Sequence, residues 1–207
     1  MNQGPKYPDL MQEIKERLYV IEDVLSGRTG LQRPLAHEFC FLQLRLICEC
    51  ISFACVIAHE YIEELQAPKI QKMWSADTLM KVLDGLHPGF YPKPHKVTNK
   101  NGGLHLDEIN VPYLTKDDLK QLNGICGDNL HRGSPEKYTY NQTPERIAEY
   151  RKTIIEFSNK VFRLMESHLM RKRDEPRYII CSFQERGAPV EVFFAGPSGD
   201  IVAASNS

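Results

Sequence analysis

A run of mostly apolar residues at 39–58, FCFLQLRLICECISFACVIA, constrains the fold more than any other part of this sequence. A membrane-spanning helix needs about 20 consecutive apolar residues, so the run is long enough to cross a bilayer. However, Gln43, Arg45 and Glu49 lie near its centre, and ionised groups are costly in lipid. We therefore predict that this run forms the central, buried helix of a soluble protein.

Helix signals on both sides of this run place it in a larger helical framework. Pro34 and Pro68 bracket a long helix predicted over 35–65, because proline is tolerated at a helix start and not inside one. A second long helix is predicted over 144–172, after Thr143 as the N-cap and Pro144 at the first helical position. Shorter helices are predicted over 8–26, over 75–86, and from 115 to a stop at Gly133.

Two segments have the pattern of strands instead of helices. RYIICSF and PVEVFFAG, separated by QERGA, predict a C-terminal β-hairpin, and IVAA predicts a further short strand. Within the proline- and glycine-rich segment 87–113, NKNGG predicts a turn between HKVT and LHLDEI. The predicted fold is mainly α, of the α+β class: an antiparallel helical bundle with two long helices plus a C-terminal β-hairpin. Residues 1–176 would form the bundle with an insert at 87–113, and residues 177–207 a hairpin appendage packed on it.

The charge balance gives no general attraction for nucleic acid or membranes. The chain has 26 basic and 27 acidic side chains and a formal net charge of -1. Such a chain has no global field that would attract polyanions, so any RNA binding would depend on local basic spots such as 93–96 and 170–177. The N-terminal residues lack the apolar core of a secretory signal, so we expect a cytoplasmic protein without a membrane partner.

Six cysteines raise the question of disulfides and metals. Four of them fall within the apolar run, where cysteines of one helix rarely reach each other with disulfide geometry, so we expect reduced thiols in the core. Cys55 and His59 have a spacing that can hold an ion. Cys48, however, lies about 16 Å from His59 along a helix, too far for one tetrahedral centre. We therefore predict neither a metal site nor a cofactor.

Polar residues line one side of the apolar helix. Glu38, Arg45, Ser52 and His59 recur every seven positions, and Glu49 lies one turn after Arg45. Arg45 and Glu49 are either a structural ion pair that fixes helix register or the floor of a polar cleft. Both interpretations predict burial, and only the second predicts an opening to solvent.

The segment CGDNLHRGSP at 126–135 also allows two interpretations. Asp128 and His131 are neighbours on a helix, and a histidine or arginine near the last carbonyls of a helix is favoured by the helix dipole. The segment is then a helix end. Alternatively it is a catalytic corner, in which His131 is the general acid or base, Asp128 orients it and Arg132 holds a phosphate.

The segments LRLICECISFACVIAHEYI and CGDNLHRGSP, on either side of SADTLMKVLDGLHPGFYPKP, resemble a group of uncharacterised bacterial proteins over about residues 39–135. The long helices are also loosely similar to the HEPN superfamily of helical bundles. That resemblance implies a homodimer and, in many members, a metal-independent ribonuclease of toxin or antiphage systems. The superfamily's signature, an arginine followed four to six residues later by histidine, is met by Arg163 and His168.

Two functions follow as hypotheses. The first is a dimeric interaction or regulatory module of a bacterial cell or mobile element, with a protein or RNA partner. The second is a HEPN-like ribonuclease. In it, His131 or His168 would transfer the proton, and Arg45, Arg132 or Arg163 would stabilise the phosphate.

Overall fold

Helices and antiparallel strands alternate in blocks along the chain, so the fold class is α+β. The computed structural model describes residues 6–100, 103–131, 143–173, 177–196 and 201–204. The helices are α1 (Lys6–Leu25), α2 (Leu35–Ala58), α3 (Pro68–Gln71), α4 (Ala76–Leu86), α5 (Lys116–Leu130) and α6 (Pro144–Met165). The strands are β1 (Lys93–Lys100), β2 (Gly103–Glu108), β3 (Ser167–Arg171), β4 (Tyr178–Ser182), β5 (Glu191–Ala195) and β6 (Ile201–Ala204).

Helix α2 contains the apolar run and packs against α1, α4, α5 and α6. It is long and apolar enough to cross a membrane by length and composition, and most of its apolar stretch is buried inside the structure. Leu44, Ile47, Cys48 and Ile51 are almost completely buried. Burial of this apolar surface is the main stabilising contribution that α2 makes to the fold.

The long helix predicted over 35–65 is shorter than expected, because it ends at Ala58. The next residue, His59, leaves helical geometry, and its ring Nε2 makes a hydrogen bond of 3.0 Å with the Phe90 carbonyl oxygen. A 3₁₀ turn over Glu63–Gln66 then follows. Ile62 and Leu65 are buried there, so the chain bends back onto the core and does not continue into solvent.

The second long helix ends at Met165 instead of 172, which corrects the other boundary. Residues 167–171 form β3, which pairs in register with β4, His168 opposite Cys181 and Met170 opposite Ile179. His168 and Met170 are the buried residues of β3, in the alternation typical of a strand. The apolar residues of this segment fit helical and strand periods alike, and pairing with β4 determines the outcome.

All strands belong to one antiparallel sheet with the order β2-β1-β3-β4-β5-β6. Strands β1 and β2 form an antiparallel pair, as do β4 and β5, and β6 pairs with β5. The sequence did not predict β3, which joins the two hairpins by pairing with both β1 and β4. The C-terminal hairpin is therefore continuous with strands from the 87–113 segment.

Local signals at the helix ends are partly confirmed. Thr115 and Asp118 form the predicted capping box of α5, and the Thr143 hydroxyl accepts a hydrogen bond from the Arg146 N–H at the start of α6. Ser75 precedes α4 as predicted, but its hydroxyl makes no capping hydrogen bond. After α1, Gly27 has a φ of 80°, the left-handed conformation that glycine adopts without a steric penalty. The predicted stop at Gly133 lies outside the described residues.

Candidate functional site

The Arg45–Glu49 pair of α2 forms a polar corner beside α5. Arg45 Nε lies 3.6 Å from a Glu49 carboxylate oxygen, and the side chains are 31% and 27% exposed. The Arg45 guanidinium lies against Gly127 of α5. A Cβ atom added to that glycine would be 3.6 Å from Nη1 of Arg45. The pair is thus neither sealed in the core nor free on the surface. The burial that both interpretations predicted is therefore only partial, and neither residue lines any of the three cavities found among the described residues, so the cleft floor remains a prediction.

The predicted catalytic residues of α5 lie at the end of that helix. His131 is the residue after the last helical one, and its backbone N–H donates to the Gly127 carbonyl oxygen at 3.1 Å. The side chains of Asp128 and His131 are exposed. Within the described ranges, neither makes a hydrogen bond or ion pair with Arg45 or Glu49. Arg132 lies outside those ranges, so its predicted contact with phosphate remains a prediction.

The alternative pair, Arg163 and His168, lies on two different elements. Arg163 is near the end of α6, and its Nη1 donates to the Pro112 carbonyl oxygen at 3.3 Å. His168 is in β3, only 1% exposed, with Nε2 2.7 Å from the Tyr7 hydroxyl and Nδ1 3.3 Å from the Met165 carbonyl oxygen. A proton on Nδ1 would be donated to that carbonyl, which leaves Nε2 to accept from Tyr7. Burial lowers the pKa of His168 to about 4, so the ring is neutral at neutral pH.

Ser52 and His59, two further members of the polar stripe, are separated from the Arg45–Glu49 corner by burial, whereas Glu38 is partly exposed. The Ser52 hydroxyl is completely buried and donates to the Cys48 carbonyl oxygen of its own helix at 2.9 Å. His59 is buried in edge contact with the ring of His87, with centroids 5.0 Å apart. Burial lowers the pKa of His59 to about 4, and its Nδ1 has no hydrogen-bond partner. The seven-residue spacing predicted that these residues lie on one side of α2. It could not predict that His59 contacts His87 and Phe90, which come from a distant part of the sequence.

An apolar groove between α1 and α6 is a feature that the sequence reasoning missed. It has a volume of about 220 Å³, and Phe183 after β4 also lines it. Ile155 and Phe162, seven residues apart on α6, line it and are each 38% exposed. Ser158 also lines the groove, and its hydroxyl is buried without a hydrogen-bond partner. The available sequence signal was the position of Ile155 and Phe162 directly after Ile154 and Val161, which are both fully buried.

Metal coordination has no geometric support in the part of the chain that the structure describes, since no three His, Cys, Asp or Glu side chains are grouped there to hold an ion. All six cysteines are buried and free, as the sequence predicted. Comparison with known proteins adds no further constraint on the site. No protein-family model, no curated protein and no solved structure matches this chain.

Proposed function

We propose that this protein is a dimeric interaction module, in which the groove between α1 and α6 is covered by a second copy of the chain. The observation that carries the proposal is the pair Ile155 and Phe162, two large apolar side chains on one helix face that remain more than one third exposed. Apolar side chains that line a groove together with buried neighbours are typical of an association surface.

The edge of the groove favours a second copy as the partner. Glu22 lines the groove, and Asp23 next to it accepts hydrogen bonds from Arg28 and Arg186. Acidic and basic groups therefore stand side by side at this edge. A two-fold interface brings the same patch of two copies together, so a patch with both signs of charge can complement itself. The net charge of -1 adds little repulsion between copies.

The arrangement of the helices and of the C-terminal strands is also part of what we propose. We infer an antiparallel helical bundle built on α2 and α6, with the C-terminal β-hairpin packed on it as the end of the sheet. The packing of α2 against α1, α5 and α6 supports this inference. The cellular setting that we propose is the bacterial cytoplasm, with the dimer acting as a regulatory module of the cell or of a mobile element and binding a protein or RNA.

Sedimentation equilibrium tests the dimer. The wild-type chain should sediment as a dimer, and Phe162→Glu and Ile155→Glu should each shift it to a monomer, because a buried charge without a partner is costly. Leu42→Glu is the matched control, since Leu42 is equally exposed but lies on α2, away from the groove residues. Circular dichroism establishes that each variant is folded. A monomeric wild type, or folded groove variants that remain dimeric, would reject the proposal.

A second candidate function is a HEPN-like, metal-independent ribonuclease at the Arg45–Glu49 corner. The specific observation in its favour is that Arg45 is partly exposed and lies against Gly127, in the same helix end as Asp128 and His131. A partly exposed guanidinium one helical turn from an exposed imidazole supplies the two groups that phosphate stabilisation and proton transfer need.

Cleavage of labelled RNA in the presence of EDTA tests this second function. Arg45→Ala and His131→Ala should each reduce cleavage, while His105→Ala, at another exposed histidine, should leave it unchanged. His168→Ala is a weaker probe because His168 is buried and its loss would also affect folding. The absence of cleavage by wild type would reject the nuclease, and cleavage that survives both substitutions would reject this assignment of the site.

A further inference from the structure

A second cavity, which shares Leu25 with the groove and does not include the Arg45–Glu49 corner, lies where the connection between α1 and α2 meets α6. It has a volume of about 430 Å³. Its polar wall consists of Arg33 and Gln32 from the connection, His37 from the first turn of α2, and Arg151 from α6. Two stretches of the chain that are distant in sequence, residues 32–37 and α6, thus contribute polar side chains to one pocket.

The charge of this pocket is positive and is not neutralised by its own wall. Two guanidinium groups line it, and the lining residues that the structure describes include no carboxylate. Arg33 makes no hydrogen bond or ion pair with any described residue. Arg151 donates from Nη1 to the Leu25 carbonyl oxygen at 3.1 Å, which uses one of its five N–H groups and fixes the guanidinium beside the cavity.

His37 gives the pocket a buried polar group. The residue is only 3% exposed, and its Nδ1 is buried without a hydrogen-bond partner. Edge contact with the Tyr150 ring, at 6.1 Å between centroids, holds the imidazole in place. Buried polar atoms in folded proteins are nearly always hydrogen-bonded, so this unpaired ring nitrogen is an unsatisfied polar group beside the cavity.

The backbone adds to the positive field without supplying donors. Ala36 and His37 belong to the first turn of α2, whose N-terminal end has a partial positive charge. Their N–H groups already donate to the carbonyl oxygens of Gln32 and Pro34, so the helix contributes its dipole only. An anion in the pocket would therefore be bound through side chains.

We propose that this pocket binds the phosphate group of a small soluble molecule, with Arg33 and Arg151 on its oxygens and His37 as a hydrogen-bond donor. Two guanidinium groups match the double charge of a phosphate monoester, and guanidinium is the side-chain group best suited to bidentate phosphate contacts. A volume of about 430 Å³ also leaves room for an organic part attached to the phosphate.

Isothermal titration calorimetry with inorganic phosphate and with adenosine monophosphate tests the site. Saturable binding should be observed for both, weakened by about tenfold or more in Arg33→Gln and in Arg151→Gln, because each variant removes one charge-assisted contact. Arg28→Gln is the matched control: Arg28 is in the same connection but is paired with Asp23 outside the pocket, so its loss should leave binding unchanged.

A folding defect is not expected for the Arg33 variant, because Arg33 makes no hydrogen bond or ion pair with a described residue. Its variant should melt at the wild-type temperature without ligand and should lose the increase in melting temperature that phosphate gives to wild type. Absence of saturable binding to both probes, or equal binding by wild type and Arg33→Gln, would overturn the proposal. It would also be overturned if an RNA oligomer without terminal phosphates bound in an Arg33-dependent manner while phosphate did not compete.

Discussion

Buried polar side chains connect the helices of this protein to its sheet and loops. Lys15 of α1 is almost completely buried, and its ammonium group donates to the carbonyl oxygens of Glu185 and Ala188 at 2.8 and 2.7 Å. Burial lowers its pKa, yet two carbonyl acceptors compensate for part of the lost hydration. Tyr7 and His168 make a similar link between α1 and β3. Each link joins residues more than 160 positions apart, which is why sequence pattern alone did not predict them.

Tyr7→Phe should lower the free energy of unfolding by about 1 to 3 kcal/mol, because it leaves the buried Nε2 of His168 without its hydrogen-bond partner. Urea denaturation measures the change. Tyr19→Phe is the control: Tyr19 lies on the same helix, and its ring stacks with the Arg186 guanidinium, so removal of its hydroxyl should cost less than about 0.5 kcal/mol. Equal effects of the two substitutions would show that the buried hydrogen bond does not contribute.

Stability should decrease as the pH falls from about 6.5 to about 4. His59 and His168 have folded-state pKa values near 4 because of burial, below the value of 6.5 expected in the unfolded chain. In this window the unfolded state binds more protons, so each histidine lowers the unfolding free energy by up to about 1.4 kcal/mol per pH unit of acidification. Urea denaturation at several pH values measures the slope.

The assignment of that slope to the two histidines is tested by substitution. His59→Gln and His168→Gln should each flatten the pH dependence, whatever they do to stability at neutral pH. His105→Gln, at an exposed position in β2, should leave the slope unchanged. A slope that persists in full after both buried substitutions would assign the acid sensitivity to other groups.

At the scale of elements, Thr115 and Ser75 offer a comparison of two helix starts. Thr115→Ala should destabilise the protein by about 0.5 to 2 kcal/mol, because it removes one hydrogen bond of the α5 capping box. Ser75→Ala should cost less, since the Ser75 hydroxyl makes no capping hydrogen bond to α4. Thermal and urea unfolding of the two variants give the difference. A larger loss at Ser75 would contradict this account of the caps.

The central position of α2 gives a second prediction at this scale. Ile51→Ala should reduce the unfolding free energy by about 2 to 5 kcal/mol, because it leaves a cavity in the core. Leu42→Ala, on the same helix at a residue that is 41% exposed, should cost well under half as much. Similar losses at both positions would mean that the buried face of α2 has been assigned incorrectly.

The sequence predicted the elements whose signals are local. Caps, prolines and apolar periods located the starts of α2, α5 and α6, and turn residues located both hairpins. It failed where distant segments decide the structure. Residues 167–171 form a strand because β1 and β4 pair with them, and α2 ends at Ala58 where His59 meets the Phe90 carbonyl oxygen. Local periodicity contains no information about those partners.

In the candidate site, too, the sequence predicted the features that have local signals and missed those that depend on distant segments. The i, i+4 spacing predicted the Arg45–Glu49 pair, whereas the helix-end signals predicted a stop at Gly133 and α5 already ends at Leu130. The pocket around His37 required the connection between α1 and α2 to fold against α6, and the groove required α6 to lie beside α1. Both are products of tertiary packing, so neither produced a motif in the sequence.

At the scale of the whole molecule, β3 joins the helical and sheet parts. It follows α6 directly, pairs with β1 from the 87–113 segment and with β4 from the C-terminal segment, and contributes His168 and Met170 to contacts with Tyr7 of α1. A chain connected in this way should unfold as one cooperative unit. The domain boundary predicted at 176/177 would instead allow the C-terminal segment to unfold first.

The six buried cysteines distinguish these outcomes. They lie on α2, α5 and β4, and burial raises the thiol pKa of Cys40 to about 11 and of Cys126 to about 12, so the folded protein should react very slowly with a thiol reagent at neutral pH. With increasing urea, Cys126 on α5 and Cys181 on β4 should become reactive over the same transition, measured by mass spectrometry of the labelled peptides. Reaction of Cys181 at urea concentrations where Cys126 is still protected would show that the sheet opens independently, because local opening exposes only the thiols of the segment that opens.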